Sequence, residues 1–115
     1  MKANELRIGN YAKGLFGETV SLKAIYEDGT LGWQDGEGTT YGPMKPIKLN
    51  DGWLINLGFK YLEEHTCYNK NEHDVALYKS GVIEFIPFGN GDYPINIQYV
   101  HQLQNLYFAL TGEEL

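Results

Sequence analysis

From Leu6 to about Pro46 the chain alternates apolar with polar residues, is dense in glycine, and never settles into the 3.6-residue period of an amphipathic helix. Such a segment reads as short antiparallel strands that curl into a small sheet or SH3-like barrel. The first strand is expected over 6–13, with Leu6, Ile8 and Asn10 on one face, Arg7 and Tyr11 on the other, and a bend at Gly9. Val20 to Tyr26 and Leu31 to Trp33 flank Glu27-Asp28-Gly29-Thr30, and Asp-Gly supplies the positive φ angles of a two-residue turn. That turn predicts pairs Tyr26 with Leu31, Ile25 with Gly32 and Ala24 with Trp33. Gly36, Gly38 and Gly42 read as a hairpin loop rather than a central strand. Their spacing misses GxGxxG by one residue, and the acids Asp35 and Glu37 would repel phosphate.

A subdomain boundary is drawn between residues 48 and 49, giving a barrel-like part over 1–48 and an α+β part over 49–115. In the second part Asn50 or Asp51 caps a short helix ending near Leu57, with Gly58 as its stop. A strand from Lys60 to Thr66 and a polar loop over 68–73 follow. A second hairpin then joins Asp74–Lys79 to Val82–Phe88 through Ser80-Gly81, pairing Tyr78 with Ile83 and Ala76 with Phe85. Ile95 and Ile97 suggest a last strand. The closing helix, about Tyr99 to Leu110, carries Val100, Leu103, Leu106, Tyr107 and Leu110 on one side and is expected to cover this second sheet. The fold class is α+β.

At 115 residues one core is the default. The net charge is −6, and the excess lies in the second half: residues 1–49 balance six bases with six acids, whereas 50–115 carry three bases and nine acids. Local positive potential is what draws phosphate backbones and anionic lipid, so this balance disfavours nucleic acid and membrane surfaces. Val82–Phe88 is broken by Glu84 and Pro87, and Leu106–Leu110 stops at Thr111-Gly112, so neither spans a bilayer. The first residues lack the apolar run of a secretory signal. A lone Cys67 fits a reducing compartment. The expected location is the cytoplasm.

The start, Met1-Lys-Ala-Asn-Glu-Leu-Arg-Ile-Gly-Asn-Tyr11, the segment Trp53-Leu-Ile-Asn-Leu-Gly-Phe59 and the end, Tyr99-Val-His-Gln-Leu-Gln-Asn-Leu-Tyr-Phe-Ala-Leu-Thr-Gly-Glu-Glu-Leu115, resemble short uncharacterised proteins of Bacteroides-type gut bacteria and of their prophages and mobile elements. That resemblance implies a mobile-element setting and carries over no activity, cofactor or site residue.

His65, Cys67, His73 and Asp74 are the residues with metal-ligand character, yet they share one hairpin region and lack the paired knuckles of a structural zinc site. Cys67 with His65 or His73 also lacks a legible orienting group or oxyanion element for nucleophilic catalysis. No cofactor and no catalytic residue is expected. Sixteen aromatics, nine of them Tyr, are the better lead, because rings fill small β cores and also populate interfaces. On the last helix Phe108, His101, Gln104 and Asn105 fall off the apolar stripe. Phe108, His101, Gln104, Trp33 and Tyr41 are therefore the candidate contacts of a non-enzymatic module that binds a protein partner or another copy of itself. The alternative is nucleic-acid association through Lys13, Lys23, Lys45 and Lys48 near Tyr11, Trp33 and Tyr41.

Overall fold

The computed structural model describes residues 1, 3–36 and 38–115; Glu37, invoked above against phosphate binding, lies outside them. The fold is α+β with two antiparallel sheets. The chain groups into two units, Met1–Lys48 with Tyr99–Glu114, and Leu49–Gln98 with Leu115.

In the first unit β1 (Tyr11–Lys13), β2 (Thr19–Ile25), β3 (Leu31–Asp35) and β4 (Gly38–Tyr41) form a sheet in that order. The Gly36–Gly42 stretch thus includes an edge strand, not only a loop. The expected first strand is cut to three residues because 7–10 form a turn: Asn10 N–H donates to Arg7 C=O at 3.0 Å, Arg7 N–H donates to Asn10 Oδ1 at 2.7 Å, and Gly9 takes φ 97°. The sheet stays open rather than closing into a barrel. The outer edge of β1 is already occupied, by Lys45, which exchanges backbone bonds of 2.8 and 3.1 Å with Lys13, and by the helix α2 (Val100–Thr111). Gln104 of α2 spans two residues of that edge, its Oε1 accepting from Tyr11 N–H at 2.9 Å and its Nε2 donating to Gly9 C=O at 3.1 Å. One carboxamide so supplies the acceptor and donor that another strand would have offered.

Asn105 extends this contact, accepting from Asn10 Nδ2 at 2.7 Å and donating to Glu5 C=O at 2.9 Å. These amides explain why α2 belongs with residues 1–48, where the sequence suggested residues 49–115. They also turn the helix from its expected orientation: Val100, His101, Leu103, Gln104 and Tyr107 are buried, while Leu110 is exposed. The helix begins at Tyr99, whose N–H donates to Gln102 Oε1, and ends at Gly112 in the left-handed region. The sheet buries Ala12, Val20, Leu22, Leu31 and Trp33 together with Leu6 and Met44, and Trp33 Nε1 donates to Gly42 C=O at 2.7 Å.

In the second unit Asn50 Oδ1 accepts from Trp53 N–H at 2.9 Å and caps α1 (Asp51–Asn56); Gly58 follows at φ 95°. The sheet runs β5 (Lys60–Leu62), β6 (Cys67–Lys70), β7 (His73–Leu77), β8 (Ile83–Ile86), β9 (Ile95–Ile97), in chain order. β6 occupies part of the expected polar loop, because Asn71 at φ 57° permits a tight return from Lys70 to His73. Leu54, Leu57, Phe59, Val75, Ile83, Phe85 and Ile97 are its main buried apolar residues.

Both predicted hairpins are present, each one residue out of the expected register. Ile25 pairs with Leu31 and Ala24 with Gly32, followed by a bulge before Leu22–Trp33; Leu77 pairs with Ile83 and Val75 with Phe85. The cause is the same in both. The loops have three residues, ending in a glycine at φ 87° (Gly29) or 92° (Gly81) whose N–H returns to the C=O of Tyr26 or Tyr78. A one-residue slip exchanges faces, so Val75 rather than Ala76 lies opposite Phe85 in the core.

Candidate interaction surfaces

A third loop repeats that geometry. Gly14 N–H donates to Glu18 C=O at 2.7 Å, Gly17 N–H donates to Gly14 C=O at 3.1 Å, and Gly17 takes φ 83°. The three tips are Leu15-Phe16-Gly17, Glu27-Asp28-Gly29 and Lys79-Ser80-Gly81. In this turn the first two loop positions project into solvent, which suits Glu-Asp and Lys-Ser and does not suit Leu-Phe. Leu15 is nevertheless 78% exposed and Phe16 91%. Closure of the loop draws only on backbone bonds and on Glu18 Oε1, which accepts from Phe16 N–H at 3.1 Å. Adjacent, prominently exposed apolar side chains on a well-bonded tip make this loop a candidate contact surface.

At the other end of β2, Tyr26 and Tyr41 flank Gly32. Their ring centroids are 6.2 Å apart with the planes tilted by 47°, and a Cβ at Gly32 would lie 3.5 Å from one ring and 3.6 Å from the other. Tyr26, Glu27, Asp28, Thr30 and Tyr41 line an open notch of about 520 Å³. The Asp28 carboxylate accepts from Thr30 N–H at 2.9 Å, which holds its pKa below the usual carboxylate value. The neighbouring Tyr41 phenol, ahead of burial, raises the pKa of Tyr26.

Of the five expected contact residues, Tyr41 is at the surface, 60% exposed. Trp33, His101 and Gln104 are corrected: all three are buried and take part in packing or internal bonding, which leaves them no surface for a partner. Phe108 is half-buried, with the Arg7 guanidinium 4.0 Å from its ring centroid and Arg7 in turn paired with Glu114. The sequence reading passed over Leu15 and Phe16, which lie between the strands expected at 6–13 and from Val20 onward. The Gly14-x-x-Gly17 frame was the available signal.

His65, Cys67 and His73 do not converge. Cys67 and His73 project from opposite faces of the second sheet, as the Tyr68–Val75 and Lys70–His73 pairs require. His73 is buried with its ring on Phe85 and Phe88, and its Nδ1 accepts from Phe88 N–H at 3.1 Å. Among the described residues no group of three or more His, Cys, Asp or Glu is placed to hold a metal ion. Cys67 and exposed His65 border a groove of about 530 Å³ with Asp74, Ala76, Tyr78 and Lys79. Burial first, then the Asp74 carboxylate, raises the Cys67 thiol pKa, the opposite of what a nucleophile needs.

No helix among the described residues is long and apolar enough to cross a membrane. The chain defines a class by its architecture alone, an α+β protein of two open antiparallel sheets. Comparison with protein-family models, curated proteins and solved structures finds no match.

Proposed function

We propose that this chain is a non-enzymatic protein-interaction module, an accessory protein in the mobile-element setting its terminal motifs suggest, which engages its partner through the Leu15–Phe16 tip. The observation that carries the reading is the exposure of these two residues on a turn whose two counterparts hold Glu-Asp and Lys-Ser. Burying a Leu or Phe side chain is worth roughly 1.5–3 kcal/mol each, so the tip offers a partner a compact source of affinity. The tip's rigidity lowers the ordering cost of binding.

The test is capture of the tagged protein from its native cells, with and without nuclease, beside a Leu15→Glu/Phe16→Asp variant that borrows the pair found at 27–28. The reading expects proteins that survive nuclease and are lost from the variant. The same proteins on both would sink it. Nucleic acid that co-purifies, with partners lost on digestion, would instead favour a surface built on Lys13, Lys23, Lys45 and Lys48; of the aromatics named for that surface, Trp33 is buried.

A further inference from the structure

We infer that the outer face of the first sheet binds single-stranded nucleic acid, with phosphates on Lys13, Lys23 and Lys45 and bases on Tyr41 and the polar row beside it. This face is separate from the Leu15–Phe16 tip and does not depend on it; a strand bound here leaves protein partners of the tip in place after nuclease.

A net charge of −6 opposes such a partner where acids and bases are mixed, but on this sheet they are sorted by face. Residues directly opposite in an antiparallel pair, and residues two apart in one strand, project to the same side. The pairs Lys13–Lys45, Lys13–Thr19, Tyr11–Ser21, Ser21–Gln34 and Gln34–Thr39 therefore share one face, opposite to buried Ala12, Val20, Leu22 and Trp33. Lys23, at the bulge between Leu22 and Ala24, joins them: with Tyr11, Ser21 and Gln34 it lines an open groove of about 340 Å³. Tyr41, two residues after Thr39, continues the row and is exposed. Lys48 bridges to Tyr99 and is not part of it.

Lys13, Lys23 and Lys45 are exposed, and among the described residues none of them is in an ion pair. The acids close to them in sequence turn the other way. Glu18 and Asp35 line a recess with Val20, Thr40 and Met44, where Glu18 accepts from Phe16 N–H and Asp35 from Thr40 Oγ1. Glu27 and Asp28 stand on the turn past Tyr26 and bound the strip at that end. From Lys45 across β1, β2 and β3 to Tyr41 the strip crosses four inter-strand spacings of about 4.8 Å, roughly 19 Å. Its lining matches a single strand: ammonium groups for the phosphates, an exposed ring on which any base can stack, and hydroxyl and amide groups for base edges. An acidic protein would be drawn by the same lysines but would gain nothing from the stacking ring.

The experiment titrates the full chain into a labelled oligothymidylate and follows fluorescence anisotropy as salt is raised from low ionic strength, with an abasic strand of the same length and polyglutamate as comparisons. Three phosphate contacts predict a slope of log affinity on log salt of about −2 for a single strand. Lys13→Gln, Lys23→Gln and Lys45→Gln should each make that slope shallower by about 0.7 and, being exposed and unpaired positions, leave thermal stability unchanged. Lys60→Gln and Lys79→Gln, which change the net charge equally on the second sheet, should leave the slope as it is. Tyr41→Leu should weaken the oligothymidylate about fivefold or more and the abasic strand not at all. No binding at low salt, the same loss from the Lys60 and Lys79 changes, an equal effect of Tyr41→Leu on both strands, or polyglutamate bound as tightly as the oligothymidylate overturns the inference.

Discussion

Replacing Gln104 by Leu should destabilise the protein by about 2–4 kcal/mol, although the substitution exchanges a polar for an apolar residue at a site with 1% exposure. On hydrophobicity alone the change ought to help. The structure says otherwise, because Gln104 is the partner of two backbone groups, Tyr11 N–H at the start of β1 and Gly9 C=O just before it. Each group stranded in a buried site costs roughly 1–3 kcal/mol, against which the gain in apolar burial is about 1 kcal/mol. Urea unfolding reads the result: with a slope of about 1–3 kcal/mol per molar for a small protein, the midpoint should fall by roughly 0.7–4 M. Gln102→Leu is the internal control, since its bond to Tyr99 N–H sits at an exposed helix start. It should cost no more than about 1 kcal/mol. Gln104→Glu keeps the acceptor, loses the donor to Gly9 and buries a charge, so relative to the parent it should recover stability as the pH falls from 7 toward 4.5 and the new carboxyl protonates. Equal costs at 102 and 104, or a stabilising Gln104→Leu, would refute the reasoning.

Other consequences are simpler to check. Burial, partly opposed by the Glu5 carboxylate and reinforced by the N-terminal ammonium, lowers the His101 pKa, and its Nδ1 has no hydrogen-bond partner among the described residues. The unfolded chain therefore takes up the proton first, and stability should drop as the pH falls below the free-histidine value of about 6.5; thermal melts from pH 7.5 to 5 should show a smaller drop in His101→Phe. Gly29→Ala, at φ 87° with nothing within 4 Å to clash, should cost about 1–2 kcal/mol by backbone strain alone, whereas Gly91→Ala, open and not left-handed, should be neutral or slightly stabilising in the same denaturation assay. Cys67, buried and with its thiol pKa raised, should react with iodoacetamide at pH 8 at least about tenfold more slowly than a free thiol, and reach the free rate in urea. Fast labelling of the folded protein would contradict its placement.

Much of the architecture was legible from local chemistry. Asn50 as a cap, Gly112 as a stop, and the turns around Gly29 and Gly81 announce themselves through residue types with few alternatives. What could not be read was loop length. Asp-Gly and Ser-Gly suit both two- and three-residue turns, and the choice between them moved the cross-strand pairs beside each turn by one, with the bulge between Leu22 and Ala24 moving the farther β2–β3 pairs by one more. The expected apolar stripe of the last helix failed for a different reason. Hydrophobic periodicity assumes that the core-facing side chains are apolar, but Gln104 bonds the backbone at Tyr11 and Gly9, and Asn105 bonds the Asn10 side chain and the Glu5 carbonyl, 93–100 residues away in sequence. Once a carboxamide acts as a strand surrogate, a polar residue faces inward and Leu110 is left outside. The candidate surface was partly legible: Tyr41 is exposed as expected, whereas Leu15 and Phe16 became conspicuous only beside the two other loops of identical geometry.

That internal comparison supplies the most direct test of the interaction reading. A photo-reactive phenylalanine analogue placed in turn at 16, 28 and 80, the equivalent positions of the three loops, would be irradiated in the native cells and the adducts compared. Discrete protein adducts from position 16, absent from 28 and 80, are the predicted result. No adduct at 16, or the same adducts from all three tips, would contradict the claim that Leu15 and Phe16 are exposed in order to bind.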